Sequence, residues 1–208
     1  MKENLTKDRI IEQAWKLLHQ EGVTGFSMRK LAKCVDMTVS SLYYHFESKE
    51  ALFNDMIDQA CGKILYPIDE IEWDMRLKKY AENILDILNR YDQLAQLLMM
   101  YPPMSSNYAK LMDNLLKIIE RLHISDSYKL YTVNHYLNYI FTFKLDNQHV
   151  FNNEKVKFVE GDGFSESSTP YLYKYKRDGL FKKLGSSEMF EYGLDVFING
   201  IKNIEKNL

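Results

Sequence analysis

Seven consecutive residues, Thr38-Val-Ser-Ser-Leu-Tyr-Tyr44, combine short hydrogen-bonding side chains with one apolar anchor, Leu42, and a second, Phe46, follows four positions later. On a helix, Leu42 and Phe46 share the inner face, while Thr38, Val39, Ser40, Ser41 and Tyr43 point outward. Small polar groups on a short helix let its backbone approach closely enough to read base edges in the major groove of duplex DNA. Arg29, Lys30, Lys33 and Lys49 flank this stretch as a local basic patch. The chain offers little to support catalysis. His19, His123, His135 and His149 lie far apart, without an HExxH, a nucleophile elbow or a glycine-rich phosphate loop. The carboxylates at Asp69, Glu70, Glu72 and Asp74 read as a solvated face. Cys34 and Cys61 fall in separate helical patterns without CxxC spacing and read as buried free thiols. No metal and no cofactor is expected, and the chain does not read as an enzyme.

The elements that must position these residues are helical. Four prolines and nine glycines punctuate 208 residues, and apolar side chains recur at three- and four-residue spacing, which predicts an all-α protein. Ile10, Ala14, Leu17 and Leu18 mark a first helix behind Thr6, ended by Gly22 and Gly25. Ser27 and Thr38 are oxygen-bearing caps for two short helices joined by the tight turn Val35-Asp36-Met37, and Ser48 caps a fourth helix that runs to about Leu65. That is helix-turn-helix spacing. Beyond Pro67, patterns at 73–91, 94–101, 106–122, 125–149, 170–184 and 187–206 predict six further helices, with a polar, turn-rich loop at 152–169. The predicted division is a DNA-binding domain at 1–48, a connecting helix at 49–67, and an effector-binding and dimerisation domain at 68–208.

Charge refines this reading. With 27 Lys and Arg against 29 Asp and Glu, no global positive field draws the chain to nucleic acid, so any DNA contact must be local. Residues 27–49 hold four cations against two acids, a surplus that predicts a modest salt dependence. The N-terminus lacks an apolar signal core, and charges interrupt every apolar stretch short of a membrane span, so the chain reads as cytoplasmic with no membrane partner.

The Arg-Lys-Leu-Ala run at 29–32, the Ser-Leu-Tyr-Tyr-His-Phe box at 41–46 and Ser-Lys-Glu-Ala-Leu at 48–52 together resemble the signature of the tetracycline-repressor family. That resemblance implies a transcriptional regulator, with DNA-facing roles for Ser27, Arg29, Val39, Ser40, Ser41, Tyr43, His45 and Lys49. Arg29 and Val39 to Ser41 would lie toward bases. Tyr43, His45 and Lys49 would hold phosphates, as would Ser27 at its helix N-terminus. The family often has Gly in the turn where this chain has Asp36, a residue that tolerates a left-handed backbone better than most.

The C-terminal stretches Pro170-Tyr-Leu-Tyr and Phe190 to Ile201 also resemble this family. Where its tetracycline-binding branch places polar side chains for a magnesium-drug complex, rough alignment sets Leu65, Leu97 and Met100, which implies a more hydrophobic effector. Met56, Tyr101 and Met104 complete the candidate effector site. In the last helix Phe190, Gly193, Phe197, Gly200 and Ile204 recur on one face, and glycine inside a helix costs about 1 kcal/mol relative to Ala. Close approach of another backbone explains that cost, so Leu137, Phe141, Phe190, Gly193, Phe197, Gly200 and Ile201 are expected in a homodimer interface. The partners expected are thus double-stranded operator DNA, a hydrophobic small molecule and a second copy. An effector-independent dimer that only binds DNA or recruits a protein is the alternative.

Overall fold

The computed structural model describes residues 2–68, 72–148 and 164–207, and most of the expected loop at 152–169 lies outside them. Among the described residues there is no strand, and no helix is long and apolar enough to cross a membrane. The helices are α1 (Lys2–Gly25), α2 (Met28–Cys34), α3 (Val39–His45), α4 (Lys49–Cys61), α5 (Trp73–Arg90), α6 (Leu94–Met100), α7 (Ser106–Ile119), α8 (Asp126–Asp146), α9 (Pro170–Arg177) and α10 (Ser187–Lys206). A 3-10 turn at Leu180–Lys183 follows α9. The helix expected from 170 to 184 is therefore broken, because Gly179 takes a left-handed backbone at φ 71°. The other bounds shift too. The first helix begins before the expected Thr6 cap, and α4 stops at Cys61, short of Leu65.

Contacts divide the chain into two compact units, Met1–Glu120 and Arg121–Leu208. In the first, α1 buries Ile10, Ile11, Ala14, Leu17 and Leu18 along one stripe and packs on α2 and α4. Gly22, at φ 66° and ψ 175°, interrupts α1 and lets Val23 and Phe26 turn inward. Next, α4 packs on α6 and α7, and α5 on α7, around Met56, Ile57, Tyr80, Ile84, Leu97 and Leu115. Tyr108 Oη donates to the Leu98 carbonyl (3.1 Å) and Asn114 Nδ2 to Tyr80 Oη (3.3 Å), so two large polar side chains enter this core with partners. In the second unit α8 and α10 pack together through Val133, Leu137, Phe141, Phe190, Leu194 and Ile198.

The two cysteines part company. Cys61 is buried as expected, but Cys34 is exposed, because Leu31, Ala32 and Val35 take the inward positions around it on α2. Burial pushes the Cys61 thiol up to about 12, and the Tyr80 and Tyr108 phenols to about 12. Above the ordinary thiol value of 9.0, and then the phenol value of 10.0, the unfolded chain loses protons that the folded one keeps. Stability carried by these neutral groups is thus complete at pH 8 and drains as pH rises toward 12. Melting followed by circular dichroism should show a falling Tm above about pH 9. A thiol reagent should label Cys34 in the native protein and Cys61 only after unfolding. Equal labelling of both at neutral pH contradicts this burial.

Candidate nucleic-acid interface

The reading unit is built from caps inward. Ser27 Oγ accepts from Lys30 N (3.3 Å) to start α2, and Thr38 Oγ1 accepts from Ser41 N (3.1 Å) to start α3. Between them the chain reverses through a paired bond pattern: Met37 N donates to Ala32 O (2.9 Å) and Asp36 N to Lys33 O (3.4 Å). That is a Schellman ending, which needs a left-handed residue at its centre, and Asp36 supplies it at φ 54°. A seven-residue helix is marginal alone. Leu42, with no exposed surface, and Phe46, also buried, pin α3 to the core.

The pinning turns Thr38, Ser40, Ser41, Tyr43 and Tyr44 to solvent, with Val39 half-exposed. Thr38 and Ser41 also share a hydroxyl hydrogen bond of 2.8 Å. Tyr44, 80% exposed, stands out at the end of the same helix. It belongs to the stretch expected to face outward, although the sequence assigned it no contact role of its own. His45 is half-buried and its Nδ1 is enclosed without a hydrogen-bond partner, so a phosphate contact there must use Nε2.

Electrostatics narrow the basic surface. Arg29 and Lys33 stand exposed on α2. Lys30 Nζ instead binds Glu21 Oε2 (2.5 Å) and the Gly25 carbonyl (3.0 Å). Lys49 is turned inward: its Nζ donates to the carbonyls of Val23 (3.3 Å) and Phe26 (3.2 Å) and sits over the Phe26 and Phe53 rings. The phosphate-facing position expected for Lys49 is thus occupied by a structural task, closing the end of α1 onto the start of α4.

The candidate effector residues do not share one environment. Met56 and Leu97 are fully buried in the first unit, and Tyr101 meets Phe53 edge-on at 5.9 Å. Leu65, Met100 and Met104 are exposed. Next to Leu65 the sequence reading missed one polar group: Tyr66 lies edge-on to Tyr80 at 5.6 Å, with its hydroxyl enclosed and unpartnered.

The expected dimer residues also separate. Leu137, Phe141, Phe190 and Ile201 are buried within the chain, whereas Gly200 is exposed and Phe197 half-exposed. These last two line a groove of about 610 Å³ between α8 and α10, with Tyr128, Tyr131, Val196 and Ile204. The two glycines have different causes. A Cβ on Gly193 would land on the Tyr139 hydroxyl, so this glycine makes room for a ring of its own chain rather than for another backbone. That ring stacks on Phe190 (5.7 Å), and its hydroxyl donates to Phe190 O (2.9 Å). A Cβ on Gly200 would meet nothing within 4 Å. In chemical denaturation Gly193→Ala should cost about 2–3 kcal/mol by evicting Tyr139, while Gly200→Ala, whose Cβ meets nothing in its own chain, should cost at least about 1 kcal/mol less. Equal effects would contradict the assignment.

Comparison with known proteins agrees with this geometry. Residues 10–56 match the family profile described as bacterial regulatory proteins, tetR family, and residues 66–204 match the tetracyclin repressor-like C-terminal domain. An HTH-type transcriptional regulator of Saccharopolyspora erythraea is 35% identical over 65 residues, 31% of this chain and 28% of that protein. The aligned stretch spans about a quarter to a third of the length of the first curated relatives. Among solved structures, a possible TetR family transcriptional regulator from Streptomyces coelicolor A3(2) superposes with a TM-score of 0.82 at 17% identity, over 95% of this chain and 99% of that one. ActR of Streptomyces coelicolor in complex with actinorhodin gives 0.80 at 21% identity, over 96% and 97%. At these identities the likeness is one of fold.

Proposed function

We propose that this chain, which belongs to the tetR family of bacterial regulatory proteins, is a homodimeric repressor released from its operator by a hydrophobic small molecule. The observation that carries the DNA-binding part is the polar outer face of α3, held outward by Leu42 and Phe46 behind a Schellman turn. In this reading residues 1–48 bind DNA, 49–67 connect, and 68–208 sense and dimerise. Arg29, Val39, Ser40 and Ser41 face bases. Thr38, Tyr43, His45 through Nε2 and the Ser27 end of α2 face the backbone, and Lys49 acts from behind by fixing the unit.

Dimerisation is assigned to the α8/α10 groove, where Phe197 and Gly200 lie beside exposed Tyr128, Tyr131, Val196 and Ile204, an apolar surface that a second copy would cover. Two recognition helices in such a dimer bind together when their separation matches about one turn of DNA, about 34–36 Å. A ligand that favours another separation must weaken DNA binding, and DNA must weaken ligand binding equally. The lever proposed is α4, which joins the reading unit to α6 and α7. ActR, a protein of the same fold, has been crystallised with actinorhodin, which supports a ligand-sensing role for the C-terminal part. Full burial of Met56 and Leu97, with Leu65, Met100 and Met104 exposed, favours an effector-independent dimer as the second reading, since these residues share no common surface.

Selection from random duplexes, followed by gel-shift titration, tests the proposal. The protein should enrich a palindromic site, and Arg29→Ala or Ser40→Ala should cost about 1–3 kcal/mol on that site. With Lys49 turned inward and Lys30 paired with Glu21 on the surface, the salt slope should stay shallow, about 0.9 per phosphate neutralised. Absence of any sequence preference at low salt would refute DNA reading. Sedimentation at micromolar concentration should give a dimer, and a monomer would refute the groove assignment.

A further inference from the structure

Where α4 packs on α7, Asp58 and Asn107 tie the two helices together by hydrogen bonds. Ser105, at the N-cap position of α7, makes no side-chain cap bond, and its hydroxyl is enclosed without a partner. The capping carboxylate comes instead from α4: Asp58 Oδ1 accepts from the Asn107 backbone N (2.7 Å), and Asp58 Oδ2 accepts from Asn107 Nδ2 (2.9 Å). Asn107 Nδ2 also donates to the Asp58 carbonyl (3.1 Å), which lies in the last turn of α4. A carboxylate at a helix N-terminus suits the open N–H groups there, and the Asp58 carbonyl, which already accepts from Gly62 N (2.9 Å), takes a second donor in Asn107. The space for Asn107 exists because residue 62 is glycine, where a Cβ would lie 2.9 Å from Asn107 Nδ2. On its other side the same turn of α4 reaches α1, with Gln59 Nε2 donating to Asp8 Oδ1 (2.8 Å).

Apolar contacts let helices slide by fractions of an ångström, whereas directional hydrogen bonds between them narrow the range of crossing angles. We infer that Asp58, Asn107 and Gly62, outside the reading unit, determine which operator half-site spacing this protein accepts, by locking the tilt of α4 against α7. The inference rests on the dimeric operator-binding reading above and makes Asn107 a positioning residue with no contact to DNA.

The test is a set of duplexes that carry the selected half-sites with their separation changed by one and two base pairs. Wild-type protein should prefer one spacing by about tenfold, the worth of roughly one net hydrogen bond to a charged group. Asn107→Ala should cut that ratio to about threefold or less. Gly62→Ala keeps every bonding group and suits its right-handed backbone at φ −63°, which offsets part of the cost of displacing Asn107, so it should still fold while relaxing the spacing in the same way. Relaxed spacing in both variants, with a single half-site bound as well as by wild type, supports the inference. Affinity lowered equally at every spacing, or an unchanged ratio in the stably folded Gly62→Ala, overturns it. Wild-type protein that binds no duplex would instead remove the operator-binding reading, and this inference with it.

Discussion

A two-turn helix has too few internal hydrogen bonds to persist in water, so the direction in which α3 presents its side chains depends on what holds it. Three constraints do so. Thr38 caps its start, the left-handed Asp36 sets the angle at which the chain arrives, and Leu42 and Phe46 bury its inner face. With those in place the outer face has no freedom: its short hydroxyl side chains and two tyrosines must meet solvent or a ligand. The inward Lys49 completes the frame, tying the end of α1 to the start of α4 through two carbonyls and two aromatic rings.

The same frame explains why a chain with a net acidic balance can carry a DNA-reading surface. Lys49 serves the unit's own architecture, and of the other three cations between 27 and 49, all on the surface, Lys30 is paired with Glu21 while Arg29 and Lys33 extend from α2. Recognition in this proposal therefore leans on shape and hydrogen bonding at base edges, repeated by symmetry, more than on attraction to phosphate.

Local chemistry is what the amino-acid sequence makes legible. Ser27, Thr38 and Ser48 each cap the helix they were expected to cap, and Asp36 takes the left-handed turn that its side chain tolerates. What stayed hidden depends on partners distant in the chain. Gly193 reads like a packing glycine for a neighbouring backbone, but the ring it admits belongs to Tyr139, and no spacing rule links positions 54 apart. Lys49 looks like a surface cation until Val23 and Phe26 offer it carbonyls. Cys34 looks buried by its composition, yet the phase of α2 turns it outward. Asp58 and Asn107 carry no motif at all, because a side chain that caps another helix is set by where the two helices meet.

The account turns on α3 entering the major groove with Ser40 and Ser41 against base edges, and a crystal structure of the protein on its selected duplex measures this directly. The predicted result is one α3 from each of two copies lying in successive major grooves on one face of the duplex, with the Ser40 or Ser41 hydroxyl within hydrogen-bond reach of a base. A complex in which α3 stays in solvent, and DNA lies against another surface, would contradict it.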